Sequence, residues 1–456
     1  MAPNQDIPPH LDSTDRIIAW RDGRAISRDG LLRDAARLAQ DMPGGGRIAN
    51  CCSDQYHFLV VFVATLMRGE AALLPHASDA RVLSELAAGH PGVLFVTDRP
   101  QDAGGLNEMT VAFDGVSGGP GPEFPRPVPD APVAAVFSSG STGKPVPTIR
   151  TWKWMTTGVE HYADAFGFDR LGAFNMVATV PSQHAYGFET AVFLTLCRQA
   201  AINTTIPLYP ADVVVALEQI PSPRVLVTTP VHLRVLVESR VSTPDVSLVL
   251  SATAPLQTSL AAEAEAMLGA PVMEVYGCTE IGLIGTRRTV AGDAWTLPRG
   301  MHLRATRDGM RVDAAHLTEP VIMADSFQRL SDLTVKFKGR CNDIVKVAGK
   351  RASLSGLDAA LNSIDGVLDG VYLPPGDDDA PAKQRLTACV VIEHGDVDRI
   401  RRELRARVAS TFVPRPLIRV ARIPRTGTGK VRYAELRALA RSAAQTPVQV
   451  AREPGE

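Results

Sequence analysis

The apolar run from Val133 to Phe137 ends in a short turn rich in serine, threonine and glycine. The turn reads Ser138-Ser139-Gly140-Ser141-Thr142-Gly143-Lys144-Pro145. Small residues let the backbone approach an anion closely, and hydroxyl and backbone N–H groups can surround phosphate oxygens. The composition therefore predicts a phosphate-binding loop. A flexible turn that binds nothing has the same composition, and the loop alone does not distinguish the two.

The loop does not have the Walker A pattern, GxxxxGK[ST]. Counting back from Gly143 and Lys144, the position of the first glycine holds Ser138, and the position of the final Ser/Thr holds Pro145. A kinase or motor ATPase of the P-loop type is therefore disfavoured.

Three further segments combine glycine with charged side chains, and they follow the loop in a fixed order. They are Tyr276-Gly277-Cys278-Thr279-Glu280, then Gly339-Arg340-Cys341-Asn342-Asp343 continuing to Arg351, and Pro424-Arg425-Thr426-Gly427-Thr428-Gly429-Lys430. A carboxylate beside phosphate oxygens is a usual arrangement for Mg²⁺. A lysine in a glycine-flanked loop is mobile enough to enter a site.

Together with the loop, these segments resemble the motifs of the adenylate-forming superfamily of acyl- and aryl-CoA synthetases, peptide-synthetase adenylation domains and luciferases. The resemblance covers most of the chain. It implies an AMP-forming acid–thiol ligase that uses ATP and Mg²⁺ to make an acyl-AMP and releases pyrophosphate. The acyl group then passes to coenzyme A or to the pantetheine of an acyl carrier protein. Such an enzyme must screen charge, because a carboxylate attacks a phosphate that is itself anionic.

The resemblance implies a role for each segment of the larger part of the chain. The loop from Ser138 to Lys144 is expected to bind the β- and γ-phosphates. Thr279 and Glu280 match the positions that contact the α-phosphate and hold Mg²⁺. Tyr276 matches the aromatic residue that stacks on adenine, and Gly277 beside it is a further nucleotide-binding candidate. The segment lining the other face of the nucleotide is Ser251-Ala252-Thr253-Ala254-Pro255.

The remaining roles fall near the C-terminus. Asp332 and Arg340 are expected at the ribose, with Arg351 as a further nucleotide-binding candidate, and Lys430 is expected to contact the attacking carboxylate. Asn342 matches a hinge about which a small domain swings to bring Gly349 toward the thiol. Alternative interpretations stay open: Glu280 as a surface acid, Asp332 as a turn residue, Tyr276 as a core aromatic and Lys430 as a solvated lysine.

The segment Pro181-Ser182-Gln183-His184-Ala185-Tyr186-Gly187 resembles the family segment whose histidine or aromatic residue lines the acyl pocket. The alternative for His184 is a hydrogen-bonded core histidine. The aspartate that anchors an α-amino group in amino-acid-activating relatives is missing here, which favours fatty or aromatic acids. Short segments around Trp152, His184 and Glu189 look like the ligases of aryl-polyene and xanthomonadin-type pigment clusters of secondary metabolism, which implies an aryl acid.

The sequence departs from the family pattern at the end of the phosphate loop and at the expected ribose site. Val146-Pro147 stand where a lysine–glycine pair is usual, and Lys144 or Arg150 are the cations near enough to replace the lysine. Ser331-Asp332 replace a glycine–aspartate pair and lie close to Arg340, so the hairpin between them must be short. These departures motivate an alternative function, a catalytically degenerate binding protein of the same fold. Adenylation without transfer to a thiol is a third hypothesis.

The totals fit a soluble cytoplasmic enzyme. The chain has 456 residues, a formal net charge of −1 and 45% hydrophobic residues. That charge disfavours a nucleic-acid partner, and the longest apolar run, Phe58 to Met67, is about half a membrane span. The cysteines form no CxxC pair or zinc-ligand cluster, which fits a reducing cytoplasm.

Elements that position these residues alternate between helical and strand patterns. Leu31–Leu38 and Tyr56–Met67 predict helices, whereas Val225–Thr228, Leu248–Ser251 and Val272–Tyr276 predict buried strands. The alternation predicts an α/β fold: a large ATP- and acyl-binding N-terminal domain, 1–339, of αβ-layered subdomains with mainly parallel sheets. A small mobile α+β domain, 340–456, carries the lysine, with a helix over 354–362, a strand over 387–392 and a helix over 397–409.

Overall fold

A computed structural model describes residues 16–99, 105–115, 119–138, 146–306, 309–340, 344–347, 350–373, 386–425 and 431–445. The helices are α1 (Arg28–Asp41), α2 (Gln55–Met67), α3 (Ala80–Gly89), α4 (Trp152–Phe166), α5 (Phe168–Leu171), α6 (Ala185–Gly187), α7 (Leu194–Cys197), α8 (Pro210–Glu218), α9 (Pro230–Ser239), α10 (Thr258–Leu268), α11 (Leu354–Asn362), α12 (Val397–Arg407) and α13 (Tyr433–Gln445). A π-helical segment, Phe188–Phe193, joins α6 to α7.

The strands are β1 (Ile17–Arg21), β2 (Arg24–Ser27), β3 (Ile48–Asn50), β4 (Ala72–Leu74), β5 (Leu94–Thr97), β6 (Glu108–Thr110), β7 (Pro132–Ser138), β8 (Val146–Thr151), β9 (Phe174–Ala178), β10 (Ala200–Asn203), β11 (Arg224–Thr228), β12 (Leu248–Ser251), β13 (Val272–Cys278), β14 (Gly282–Arg288), β15 (Ala294–Thr296), β16 (His302–Thr306), β17 (Gly309–Asp313), β18 (Val321–Met323), β19 (Asp325–Arg329), β20 (Thr334–Arg340), β21 (Ile344–Val347), β22 (Lys350–Ser353), β23 (Val367–Leu373), β24 (Thr387–Ile392) and β25 (Leu417–Arg419).

Two compact units make up the described chain. The larger unit runs to His302 and includes Asp313–Val321, and the smaller comprises Leu303–Val312 and the chain from Ile322 onward. The predicted division at residue 339 concerns which part moves in the reaction, and it stays a prediction. The described residues contain no helix with the length and apolar character needed to cross a bilayer.

The main sheet of the larger unit has the strand order β15-β14-β13-β12-β11-β9-β10-β1-β2. Strands β9, β11, β12 and β13 are parallel neighbours, with Val227 opposite Ala178, and Ser251 opposite both Thr228 and Glu274. Every residue of β12 is buried, as expected for a strand covered on both faces. Because these strands are parallel, the residues that follow them all lie at one edge of the sheet.

A second sheet of the same unit has the order β6-β5-β3-β4-β7-β8, parallel except for β8. Helix α2 packs in the core because its sequence is apolar around its whole circumference. Its Phe62 ring lies 5.2 Å from Phe188 and 5.5 Å from Phe193. The α2 core thus contacts the π-helical segment that follows the predicted acyl-binding residues.

The smaller unit combines a three-stranded sheet, β23-β24-β25, with helices α11, α12 and α13 and with shorter sheets and hairpins. The predicted bounds of α11 and β24 are confirmed. The helix predicted over 397–409 ends at Arg407, because Val408 already has an extended backbone with φ −128° and ψ 154°. The observed elements confirm the predicted α/β class with a smaller C-terminal unit.

Candidate active site

The turn after β12 holds Thr253 in a left-handed backbone conformation. Its φ of 80° is unusual for a residue other than glycine, and β-branched residues are especially disfavoured there. Its hydroxyl is buried without a hydrogen-bond partner in the described part of the chain, as is the hydroxyl of Ser251, whereas Ala252 is buried by packing. Strain of about 1–3 kcal/mol with two unused hydroxyls points to a binding position.

The neighbouring strand β13 ends in the aromatic residue predicted to stack on adenine. Tyr276 is half-buried, and its ring centroid lies 5.5 Å from that of Trp295. The next residue must be glycine, because a Cβ at Gly277 would lie 2.4 Å from the carbonyl oxygen of Gly282. This close approach of β13 and β14 explains why Gly277 stands between the ring and the turn that follows.

Thr279 and Glu280 form the tight turn between β13 and β14. Thr279 is half-buried, and the Glu280 side chain is exposed. The Arg150 guanidinium donates through Nη2 to the Thr279 carbonyl oxygen. The backbone of the turn is therefore bonded to the protein interior, while the carboxylate predicted to hold Mg²⁺ stands in solvent.

Arg150 itself is completely buried. Its guanidinium carbon lies 3.4 Å above the Trp154 ring, and Nη2 lies 3.8 Å from a carboxylate oxygen of Glu189. Burial lowers the pKa of Arg150 to about 10, opposed by the attraction of Glu189. Burial raises the pKa of Glu189 to about 7, opposed by Arg150 and by the hydrogen bond from Tyr162. The two groups form a desolvated ion pair beside the turn.

The segment with His184 follows β9 and so reaches the same sheet edge. His184 precedes α6, its N–H donates to the Pro181 carbonyl over 3.2 Å, and its carbonyl accepts from Phe188 over 2.7 Å. A Cβ at Gly187 would lie 2.1 Å from the Pro181 carbonyl oxygen, so the turn requires glycine. The nearby Tyr186 hydroxyl is buried and has no hydrogen-bond partner in the described chain.

The larger unit thus brings several predicted site residues to one edge. Three parallel strands of the same sheet, β9, β12 and β13, carry them, with β11 between β9 and β12. The residues that follow or end these strands are His184, Ala252, Thr253, Ala254, Tyr276, Gly277, Thr279 and Glu280. The pairing of Arg150 with Glu189 is not predicted from the sequence, which offers Arg150 only as a substitute cation near the loop. The signal that could have indicated it is a charged residue inside the largely apolar segment Phe188–Phe193.

In the smaller unit, Asp332 lies in the hairpin turn between β19 and β20. Its side chain is 92% exposed and pairs with Arg329. Arg340 ends β20 opposite Asp325, and Arg351 lies in β22 opposite Lys346. The ribose and nucleotide roles of these three residues stay predictions.

Several predicted residues lie outside the described residues. They are the loop Ser139, Gly140, Ser141, Thr142, Gly143 and Lys144, the hinge Asn342, Gly349 and the catalytic candidate Lys430. The loop's flanks are described: Ser138 pairs with Val146 across β7 and β8. Pro147 is tolerated in β8 because β8 is an edge strand.

The residues present fit a magnesium ion held partly by substrate. The described residues contain no group of three or more His, Cys, Asp or Glu side chains placed to hold a metal. Mg²⁺ is commonly held by one or two carboxylates together with substrate phosphates, and it prefers oxygen ligands. Glu280 and the Thr279 hydroxyl offer that chemistry at the exposed turn.

Residues 20–307 match the family model described as AMP-binding enzyme, which is well over half of the chain. The chain belongs to the AMP-binding enzyme family. The match covers the first two of the four motifs, the loop after β7 and the segment from Tyr276 to Glu280, together with Arg150 and Glu189, and it confirms the resemblance to this family.

Among curated proteins, the chain is similar to 4-coumarate–CoA ligase from Halorhodospira halophila. The two are 31% identical over 268 residues, which is 57% of this chain and 63% of the ligase, less than two thirds of its length. It is also similar to 3,4-dihydroxybenzoate–[aryl-carrier protein] ligase from Bacillus anthracis, 21% identical over 309 residues, 66% of this chain and 73% of the ligase.

Among solved structures, the fold is similar to that of ATP-bound MatB from Rhodopseudomonas palustris. The TM-score is 0.76 at 19% identity, and the alignment covers 94% of this chain and 96% of MatB. At this identity the likeness establishes the fold of the AMP-binding enzyme and leaves its substrate open.

Proposed function

We propose that this AMP-binding enzyme activates a carboxylic acid with ATP as its acyl-AMP and then transfers the acyl group to a thiol. The observation that carries the proposal is the convergence at one sheet edge of strained Thr253, the Tyr276 ring and the Thr279–Glu280 turn. A nucleotide bound at this edge would meet small residues on one face and an aromatic ring on the other. The exposed carboxylate would stand at its phosphates.

In the first half-reaction, a carboxylate oxygen of the acid attacks the α-phosphorus of ATP. The bond from that phosphorus to the bridging oxygen breaks, and pyrophosphate leaves with the electron pair. The Thr279 hydroxyl would donate to an α-phosphate oxygen, and Glu280 would hold Mg²⁺, which neutralises phosphate charge. Lys430 remains the predicted contact to the attacking carboxylate. These residues hold the reacting groups in line.

In the second half-reaction, a thiolate attacks the acyl carbonyl carbon and AMP leaves. The acceptor is coenzyme A or carrier-protein pantetheine. One of the two relatives above is named as a CoA ligase and the other as an aryl-carrier-protein ligase. Both relatives are named for aromatic acids, which supports an aryl acid as substrate here. The segment from His184 to Phe188 supplies aromatic and imidazole groups for the acyl pocket.

The deciding experiment is acid-dependent pyrophosphate release from Mg·ATP. The panel contains benzoic, hydroxybenzoic and hydroxycinnamic acids, medium- and long-chain fatty acids, and amino acids. We expect release with the aryl acids above a no-acid control, and consumption of the acyl-AMP when coenzyme A or a holo carrier protein is added. Pyrophosphate release only with fatty or amino acids would overturn the aryl assignment. No release with any acid would overturn the proposed adenylating activity.

A second candidate is a nucleotide-binding protein of this fold without turnover. The position of Asp332 favours it, because that residue lies in an exposed turn already paired with Arg329. Mg·ATP binding in calorimetry, combined with no pyrophosphate release from any acid, would select this function.

A further inference from the structure

The turn from Thr279 to Gly282 is held by buried side chains at three of its positions. Arg150 donates to the Thr279 carbonyl, and Nε2 of His316 lies 2.9 Å from the Ile281 carbonyl oxygen. At Gly282, with φ 84°, an added Cβ would lie 2.7 Å from Trp154 and 3.3 Å from Glu189. The interior of the larger unit therefore fixes the backbone path, while Glu280 is exposed.

Burying the Arg150 guanidinium for that support carries a large desolvation penalty. Its Nε and Nη1 atoms are buried and have no hydrogen-bond partner in the described chain. Removing a guanidinium from water is costly unless a counter-charge and hydrogen bonds compensate, and an apolar side chain of similar length would pack at lower cost. Here Glu189 and the Trp154 ring compensate only in part. The contact that an apolar residue could not make is the hydrogen bond to Thr279.

Glu189 connects this support to a second functional segment. It lies in the π-helical segment Phe188–Phe193, which begins directly after α6 and the predicted acyl-binding residue His184. Tyr162 donates to its other carboxylate oxygen over 3.2 Å. The buried chain of contacts therefore runs from Tyr162 through Glu189 and Arg150 to the Thr279 carbonyl. π-Helical insertions are frequent at functional sites.

We propose that Arg150 and Glu189 are positioning residues that hold the Thr279–Gly282 turn in its nucleotide-binding geometry and link it to the acyl-side segment. The inference rests on the proposed function of that turn. Neither residue touches substrate in this account. A displacement of Glu280 by a fraction of an ångström would misplace Mg²⁺ and the α-phosphate, and misplacements of that size are costly in catalysis.

The test uses the full chain and the double variant Arg150→Met/Glu189→Gln. Removing one partner strands a buried charge, whereas replacing both is often nearly neutral for stability. Methionine retains the length of the arginine stem, and glutamine can still accept from Tyr162. We expect a melting temperature within about 4 °C of wild type. We also expect Mg·ATP affinity in calorimetry without acid, and the KM for Mg·ATP in pyrophosphate exchange, to worsen at least about tenfold.

Arg198→Met is the matched control. Arg198 is a buried arginine of the same unit, paired with Glu160 and, over 3.1 Å, with Asp169, away from the turn. We expect it to lower the melting temperature while Mg·ATP affinity stays at the wild-type value. A purely structural role for Arg150 predicts the same pattern for both sites.

The outcomes separate the two hypotheses. Wild-type affinity in the folded double variant would overturn the inference and leave the proposed function standing. Mg·ATP binding by wild type without exchange for any acid would overturn the proposed function, while the affinities still decide the inference. No Mg·ATP binding by wild type would overturn both. If the double variant does not fold, Arg150→Lys keeps the charge but shortens its reach, and unchanged affinity there would overturn the inference.

Discussion

Two turns of this AMP-binding enzyme are predicted to contact the nucleotide, and they are built in opposite ways. The Thr279–Gly282 turn in the larger unit is held by Arg150 and His316, side chains from distant parts of the sequence. The Leu330–Thr334 turn in the smaller unit is held by hydrogen bonds between its own residues. Its Leu330 N–H donates to the Thr334 carbonyl over 2.9 Å, and the Ser331 and Thr334 hydroxyls are 2.7 Å apart.

The two turns should therefore differ in how many properties of the protein a single substitution changes. A change in the first turn alters buried packing and a desolvated ion pair, so it should affect folding stability and nucleotide binding together. A change in the second turn alters exposed side chains, so it should affect one contact and little else. Stability and function are therefore expected to be coupled in one turn and separable in the other.

The largest effect is expected from Gly282→Ala. The alanine would have to adopt φ near 84° and place its Cβ 2.7 Å from the Trp154 ring. We expect unfolding free energy to fall by about 2–4 kcal/mol from backbone strain and overpacking. Urea unfolding measures the loss, and Mg·ATP calorimetry should show weaker binding in the folded fraction. Wild-type stability would contradict the close packing of this turn.

A smaller effect is expected from pH through Glu189. Its pKa in the folded protein is raised from 4.5 to about 7, so between these values the folded state holds a proton that the unfolded chain has lost. The free energy of unfolding should therefore fall as pH rises through that window, by up to about 3 kcal/mol, and level off above it.

The measurement for Glu189 is the difference in unfolding free energy between wild type and Glu189→Gln, from urea titrations between about pH 5 and about pH 8. Subtracting the glutamine variant removes the titration of all other groups. A difference that stays constant across the range would contradict the raised pKa.

The smallest effect is expected from Asp332→Asn. The residue is exposed and its pairing with Arg329 is a surface contact, so unfolding free energy should change by less than about 0.5 kcal/mol. If Asp332 binds the ribose, the variant should lose wild-type discrimination between ATP and deoxy-ATP, measured as the ratio of their KM values. Unchanged discrimination would remove Asp332 from the site. A large stability loss would contradict the comparison of the two turns.

Helices and strands could be predicted from the sequence where the pattern of a single segment indicates both its structure and its burial. Helix α2 is apolar on every face, and β12 is a continuous apolar run, so the pattern alone indicates burial. Helix α12 ends two residues before its predicted end, because Val408 leaves the helix without a glycine or proline to mark it.

The residues of the site could be predicted from motifs, but the contacts between them could not. The resemblance supplied Tyr276 and Glu280, and the parallel order of β9, β12 and β13 places their neighbours at one edge. The pairing of Arg150 with Glu189 could not be read from the sequence, because it depends on an edge strand and a π-helical segment meeting in the core. Only the isolated charge within apolar surroundings hinted at it.

The alternation of side chains along β8 limits how the strand can change in evolution. Along β8, Ile149 is 53% exposed and Arg150 is fully buried, because neighbouring strand residues face opposite sides. Moving the pairing of β8 with β7 by one residue would turn Arg150 toward solvent and Ile149 toward the interior, unless a bulge absorbed the change. The register of this strand pair is thus tied to the placement of a buried cation. Lineages that keep Arg150 should therefore keep this register, whatever substitutions accumulate on the exposed face of β8.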